Sequence, residues 1–308
     1  MKGMALARDY YNEYGAAMIR ELFPAYEGRI ACGLAGSGSE CFGFDDEYSQ
    51  DHDFGPGFCL WLTDEDEKKT GAALRAEYAN LPKAYKGFAS KEMVVSGERR
   101  VGPMRISDFY FKFTGVIGAP QTLDQWREIP ETFLAAAVNG EVFRDDLGEF
   151  SKLRDILSAF YPEDIRLKKI VARAAIMAQA GQYNYPRCIQ RGERVAAQNA
   201  LSEFINAASS MVYLLNKKYM PFYKWAHRGM KDLPILNEVY TLLSILCSDE
   251  TKEGEQIDII EEICVSVKQE LMRQKLSEAD ENFLLDHCEG MKRKIRDPQI
   301  RSLHIMAE

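Results

Sequence analysis

After Glu149 the chain stops producing strand signals, and this change of character constrains the fold more than any other feature of the sequence. Before it, short apolar runs bounded by Gly and Pro alternate with helical segments. After it, helical signals follow one another to the end. A mixed segment followed by a purely helical one predicts an α+β chain in which the sheet and the helices form separate domains. At 308 residues the length admits two domains of ordinary size. We expect a small mixed-sheet domain over residues 1–147 and an all-α helical bundle over 148–308, divided near Asp145 to Glu149.

In the first half, Leu6, Tyr10, Tyr14, Ala17, Met18 and Leu22 recur at helical spacing and stop at Pro24. Arg29 to Ala35 and Phe58 to Leu62 read as buried strands. Thr63, followed by four acids, starts a helix that should run to about Asn80 and end before Pro82. Met104 to Phe113 reads as a strand followed by a turn or short helix. A hairpin is expected around Asn139-Gly140 and Asp145-Asp146. In the second half, Tyr161-Pro162-Glu163-Asp164 opens a helix that Gly181 closes. A long helix after Pro186 carries Val195, Leu201, Phe204, Ala208, Met211 and Leu215 as its apolar stripe. Later starts fall at Pro221 and Pro234, and Ser277 with Asp280 resembles a capping box. The sum is a bundle of five or six helices.

The chemistry concentrates between Leu34 and Phe54. An apolar stretch, Ile30 to Ala35, runs into Gly36-Ser37; a polar loop follows, and then Asp51 and Asp53 with one residue between them. On an extended segment, alternation puts both carboxylates on one side. Two converging anionic oxygen groups suit a hard cation such as Mg²⁺, which keeps positions open for phosphates, and a Gly-Ser turn leaves backbone N–H groups to hold the same phosphates. Singly, a Gly-Ser-Gly-Ser run is ordinarily a turn and acids before a strand are ordinarily solvated. The order and spacing together carry the signal.

Gly36-Ser37, the spacer Gly38 to Gln50, and Asp51-His52-Asp53 resemble the signature of the nucleotidyltransferase superfamily, which includes DNA polymerase beta, the poly(A) and CCA-adding polymerases, and the aminoglycoside nucleotidyltransferases. More narrowly, Gly-Phe-Asp-Asp-Glu-Tyr-Ser-Gln-Asp-His-Asp, Gly140-Glu141-Val142-Phe143 and Tyr219-Met220-Pro221-Phe222-Tyr223-Lys224-Trp225 are similar to a family of two-domain bacterial proteins with a domain of unknown function. The resemblance covers roughly the first 230 residues. It departs from the superfamily pattern at His52, where an apolar residue is usual, and at Gly55-Pro56-Gly57, which interrupts the strand after the acids. It implies Mg²⁺ or Mn²⁺ on Asp51 and Asp53, an NTP substrate (ATP by expectation) with its phosphates near Gly36, Ser37 and Ser39, and a third carboxylate from a neighbouring strand. It also favours Lys224 as a cleft residue that could neutralise a phosphate.

Asp108 is the best-placed third carboxylate; equally, it could cap a short helix starting at Ser107 or Asp108. Asp45 and Asp46 lie in the spacer and read as loop acids. His52 would point away from the metal side. His227, His287 and His304 show no metal spacing. Arg187, Arg191, Arg194 and Gln198 recur at four, three and four residues, so on a continuous helix they share a face. That face is either solvated or a binding surface for triphosphate or an anionic acceptor. The aromatics around Lys224 could frame a base, or form core between domains. Because the Gly-Ser motif has no Lys or Arg near it in sequence, the expected site is shared between the two halves.

A formal charge of −8 weighs against broad nucleic-acid binding, although Lys292, Arg293, Lys294, Arg296 and Arg301 cluster locally. Seven scattered cysteines form no Cys-x-x-Cys pair and indicate neither zinc nor a disulfide framework. No apolar stretch approaches the length of a membrane span, and the N-terminus has no signal-peptide pattern, so a cytoplasmic location is expected. The leading expectation is an enzyme that transfers a nucleoside monophosphate to a small-molecule, protein or RNA hydroxyl. The alternatives are a catalytically silent nucleotide-binding regulatory module and an interaction scaffold built on the helical half. No motif selects the acceptor.

Overall fold

The computed structural model describes residues 1–50, 54–95 and 98–307. The fold is α+β, a small mixed sheet followed by helices, as the change of character at Glu149 predicts. The chain forms two compact units: residues 1–120 with 133–159, and residues 121–132 with 160–308. The expected division fell between 147 and 148. In the folded chain the change falls after 159, and the segment 121–132 joins the second unit ahead of it.

In the first unit, α1 (Gly3–Tyr10) and α2 (Ala16–Leu22) are joined by one π turn, Tyr11–Gly15. The apolar spacing of Leu6, Tyr10 and Ile19 turns one face of this run inward. Strands β1 (Ala31–Leu34) and β2 (Cys59–Leu62) pair antiparallel, and all eight of their residues are buried. Helix α3 (Asp64–Asn80) starts where the Thr63 hydroxyl accepts the Asp66 N–H at 3.1 Å. It stops ahead of Pro82, as read from the sequence. The chain then makes two short ladders, β3 (Ala84–Tyr85) with β4 (Phe88–Ala89) and β5 (Val94–Val95) with β6 (Glu98–Arg99).

Strand β7 (Gly102–Arg105) lies parallel to β2. A parallel pair needs a long crossover, and α3 supplies it. Helix α4 (Ile106–Thr114) follows directly. Helices α5 (Leu123–Glu128) and α6 (Glu131–Val138) lead to β8 (Glu141–Arg144) and then α7 (Glu149–Ser158). Strand β8 pairs antiparallel with β1, giving the sheet order β7-β2-β1-β8. The expected hairpin at Asn139-Gly140 is therefore absent among the described residues. The strand after Gly140 finds its partner more than a hundred residues back, a pairing that local turn signals do not report.

Alternation along β2 splits the core of this unit. Phe58, Leu60 and Leu62 meet Leu6, Tyr10, Ile19, Leu74 and Tyr78 on one face. Trp61, pointing the other way, stacks on Phe150 with ring centroids 3.8 Å apart and meets Phe109 edge-on.

The second unit is helical. Among the described residues eight helices follow residue 160: α8 (Glu163–Ile176), α9 (Tyr185–Gln190), α10 (Arg194–Leu215), α11 (Tyr223–Met230), α12 (Glu238–Leu246), α13 (Glu253–Arg273), α14 (Leu285–Arg293) and α15 (Pro298–Ser302). The expected number was five or six. One extra break is at Gly192, whose φ of +72° ends α9 before α10 begins. Val195, expected in the apolar stripe, is 78% exposed in the first turn of α10. Gly181 does not end α8; it sits in a π-helical stretch, Met177–Asn184, that continues it. Ser277 caps nothing at α14. Its hydroxyl pairs instead with His287 Nδ1 at 2.8 Å in the interior.

A buried polar group lies within this unit. Glu131 accepts from the Ser210 hydroxyl at 2.8 Å and from the Met220 N–H at 3.1 Å, and Ser210 in turn accepts from Arg173 Nε at 2.8 Å. Burial pushes the Glu131 carboxyl up, against the pull of Arg173 and Lys169. No helix among the described residues is long and apolar enough to cross a membrane.

Candidate functional site

The first unit carries a cavity of about 460 Å³ beside the Gly-Ser turn, within the size range of small-molecule sites. Its walls come from four places in the chain. The end of β1 brings Ala35, Gly36 and Ser37. Helix α3 brings Glu67 and Arg75, two turns apart on one face. Arg99 and Arg100 enter just before β7, and α4 brings Asp108, Phe109, Lys112 and Phe113. The 4-residue step from Asp108 to Lys112 is what puts both on the same side of α4.

Gly36 has φ +123°, a conformation that side-chain-bearing residues rarely adopt. Asn139 holds its backbone from both sides: the Gly36 N–H donates to Asn139 Oδ1 at 2.8 Å, and Asn139 Nδ2 donates to the Gly36 carbonyl at 2.6 Å. Arg154 secures that clamp through the carbonyls of Asn139 and Gly140, at 2.7 and 3.2 Å. The Gly36 amide is thus already engaged, so it is not the phosphate donor that the sequence suggested. Ser37, exposed on the cavity wall, is the next amide in line.

The cavity is cationic. Arg75, Arg99, Arg100, Arg105 and Lys112 face two carboxylates, Glu67 and Asp108. Arg75 Nη1 pairs with Glu67 Oε1 at 2.6 Å, and Arg105 Nε with Asp108 Oδ2 at 2.9 Å. The bond to Asp108 raises the Arg105 pKa further. Arg99 moves the other way, because burial and then the neighbouring Arg75 disfavour its charge. The Gly-Ser motif has no Lys or Arg near it in sequence, yet the first unit itself brings cations to it. These cations are distant from Gly36 in sequence, and the β2–α3–β7 crossover brings them back to it. Their sequence signals were the Arg99-Arg100 pair just ahead of a strand and the spacing of Glu67 to Arg75.

Of the residues expected at the site, Gly36, Ser37 and Asp108 are brought together. Asp51 and Asp53, and His52 between them, lie outside the described residues. Asp108 is not a cap: α4 starts at Ile106, so Asp108 sits in its first turn, exposed and bonded to Arg105. Ser39 opens a short 3₁₀ turn, Ser39–Phe42, and is not part of the cavity lining.

Arg187, Arg191 and Lys224 are exposed on the second unit. Because the chain breaks at Gly192, Arg187 belongs to α9 and Arg194 with Gln198 to α10, and the single basic helix face expected of them does not form. Arg187 instead lies over the Tyr183 ring at 4.6 Å, and Lys224 over Trp225 at 5.0 Å. Tyr219, one of the aromatics read as either a base frame or core, is buried against Phe160 and Tyr161.

Asp51 and Asp53 would have to supply most of a metal centre. Among the described residues no group of three His, Cys, Asp or Glu side chains could hold a metal ion. Asp108 has oxygen donors of the right chemistry for a hard cation, but one is already bonded to Arg105.

Fold and cavity together define an α+β protein with an anion-attracting pocket beside a clamped Gly-Ser turn. Residues 126–226 match the family model described as "Domain of unknown function (DUF4037)", a segment of about a third of the chain. Among solved structures, the chain is similar to a nucleotidyltransferase-like protein from Exiguobacterium sibiricum 255-15, with 12% identity and a TM-score of 0.34 over 89% of this chain and 81% of that one. That likeness is too loose to carry over a site or an activity. A search of curated proteins gave no match.

Proposed function

We propose that this chain is a cytoplasmic, metal-dependent nucleotidyltransferase that moves a nucleoside monophosphate from an NTP to the hydroxyl of an acceptor. One observation carries the reading: the cavity joins the Gly36-Ser37 turn to Asp108 and to a surplus of cations in a single unit. In this reading the polyphosphate lies at the Gly36-Ser37 end. There Phe113 packs beside Gly36, and Lys112 lies one residue away on α4. Lys112 offsets phosphate charge, the Ser37 amide donates to a phosphate oxygen, and the rigid clamp on Gly36 keeps both in place.

Asp108, on the same wall, accepts the proton of the acceptor hydroxyl as its oxygen bonds to the α-phosphorus and pyrophosphate departs. Asp51 and Asp53 would hold Mg²⁺ or Mn²⁺, which when bound neutralises phosphate charge and orients the leaving group.

The test is a thermal-shift panel of the four NTPs with and without Mg²⁺ or Mn²⁺ on the full chain and on Asp51→Asn and Asp53→Asn. The melting temperature should rise with nucleotide and metal together in the parent chain only, since a ligand that prefers the native state stabilises it. Both variants should melt within a few degrees of the parent when no ligand is present. Metal-dependent binding that survives in both variants would overturn the metal assignment. Nucleotide binding with no pyrophosphate release would leave a regulatory module in its place.

A further inference from the structure

Two cations of the cavity have no partner in the arrangement described so far. The Arg75 guanidinium is engaged by Glu67 and that of Arg105 by Asp108, while Lys112 belongs to the Gly-Ser end. Among the described residues no carboxylate pairs with Arg99 or Arg100, and Arg100 Nε is buried without a hydrogen-bond partner. A buried, unsatisfied guanidinium nitrogen costs free energy that a bound anion would recover, because charge-assisted, forked hydrogen bonds are among the strongest a side chain makes.

Position separates Arg99 from the expected polyphosphate, whereas Arg100, level with Ala35 when the strand register is extended, stands nearer the Gly36 end. The α4 wall runs from Arg105 and Asp108 to Lys112 and Phe113 one turn on, and the second end is the one beside Gly36. Arg99 interacts electrostatically with Arg75, Glu67 and Asp108, which places it toward the first end. Pro103, Met104 and Phe109 add an apolar surface for a carbon skeleton.

We propose that Arg99 anchors a phosphate or carboxylate group of the acceptor, with Arg100 reaching it from the Gly36 side, so that the acceptor is a small anionic molecule and not a polycation. The assignment rests on the transferase reading above. It is supported by the charge of the cavity, which repels polyamines and aminoglycosides.

Isothermal titration of the full chain tests it, using a non-hydrolysable ATP analogue with Mg²⁺ first, then inorganic phosphate, malonate or spermidine into the saturated protein. Phosphate or malonate should bind beside the nucleotide, and whichever binds more tightly identifies the acceptor's anionic group. Spermidine should not bind. Arg99→Gln/Arg100→Gln should weaken the anion by about tenfold or more, while leaving the analogue's affinity within about threefold. Arg100→Lys should fall between, because it keeps the charge and loses the fork. Arg99→Gln alone serves if the double variant melts early.

An equal loss of analogue and anion in the variants would overturn the proposal, since the arginines would then serve the nucleotide. No anion binding to the parent chain, or spermidine binding, would also overturn it. Anion binding that depends on both arginines in a chain that binds no nucleotide would keep the anion site and retire the transferase reading.

Discussion

Asn139 decides more of the site than its place in the chain suggests. Its side chain bonds the backbone of Gly36 on both sides, across a separation of 103 residues. Asn139→Ala removes both bonds and leaves a half-buried N–H and C=O to find water. We expect a loss of about 1–3 kcal/mol in urea unfolding, with nucleotide binding weakened alongside it. An unchanged midpoint would show that the turn holds itself. The sequence made Gly36 and Ser37 legible because a Gly-Ser pair after an apolar run is a local signal. Asn139 was not legible, since a residue that acts on another a hundred positions away leaves no mark in local spacing. The Arg99-Arg100 pair ahead of a strand was a visible signal, but nothing local showed that the crossover returns it to Gly36. Asp108 was singled out from its place in the chain, but its partner, Arg105, was not.

At the scale of elements, two glycines do the same thing in the two units. Each ends or occupies a π turn, and each admits an aromatic ring from another element. A Cβ on Gly15 would stand 2.4 Å from Phe58 Cζ, and one on Gly181 would stand 2.3 Å from Phe204 Cδ2. Neither ring is free to move, because both are wholly buried. Gly181→Ala should therefore cost about 1–3 kcal/mol by overpacking. Pairing it with Phe204→Leu should recover part of that loss, a non-additivity that urea titration of the three variants measures. Simple addition of the two single losses would remove the explanation.

The helical spacing around these glycines was legible, as was the Thr63 start of α3, where capping residue and acidic first turn coincide. The reading of Gly181 as a terminator failed because a glycine required for close approach looks the same in sequence as one required for a turn.

For the whole molecule, the buried thiols set the response to alkali. Burial pushes Cys32, Cys59 and Cys288 up to about 12, and raises Cys41 and Cys264 as well. In the unfolded chain all five titrate near 9.0, so above that pH the unfolded state sheds protons that the folded state keeps, and stability falls. Lys168 and Lys169 oppose this. Both are lowered to about 8 by burial, against 10.5 when unfolded, so each adds stability as pH rises between those values. Five groups outweigh two. The unfolding free energy should fall by at least about 1.4 kcal/mol per pH unit, the worth of one net proton, between about pH 9.5 and 10.5. A flat or rising profile would show that these thiols are not shielded as the fold implies.

The division of the chain into units has a consequence for its synthesis. Residues 121–132 pack with the second unit, although 133–159 return to the first. Trp126, whose ring lies 6.2 Å from that of Tyr161, and Glu131, made 79 residues before its partner Ser210, leave the ribosome ahead of almost everything that covers them. Once residue 159 has emerged the first unit has all of its residues, while Trp126 and Ile129 in this short segment still lack their cover. The interval until α8 and α10 appear is then the period in which the nascent chain is most exposed to chaperones and to proteases, and synonymous changes that slow translation between residues 160 and 215 would lengthen it.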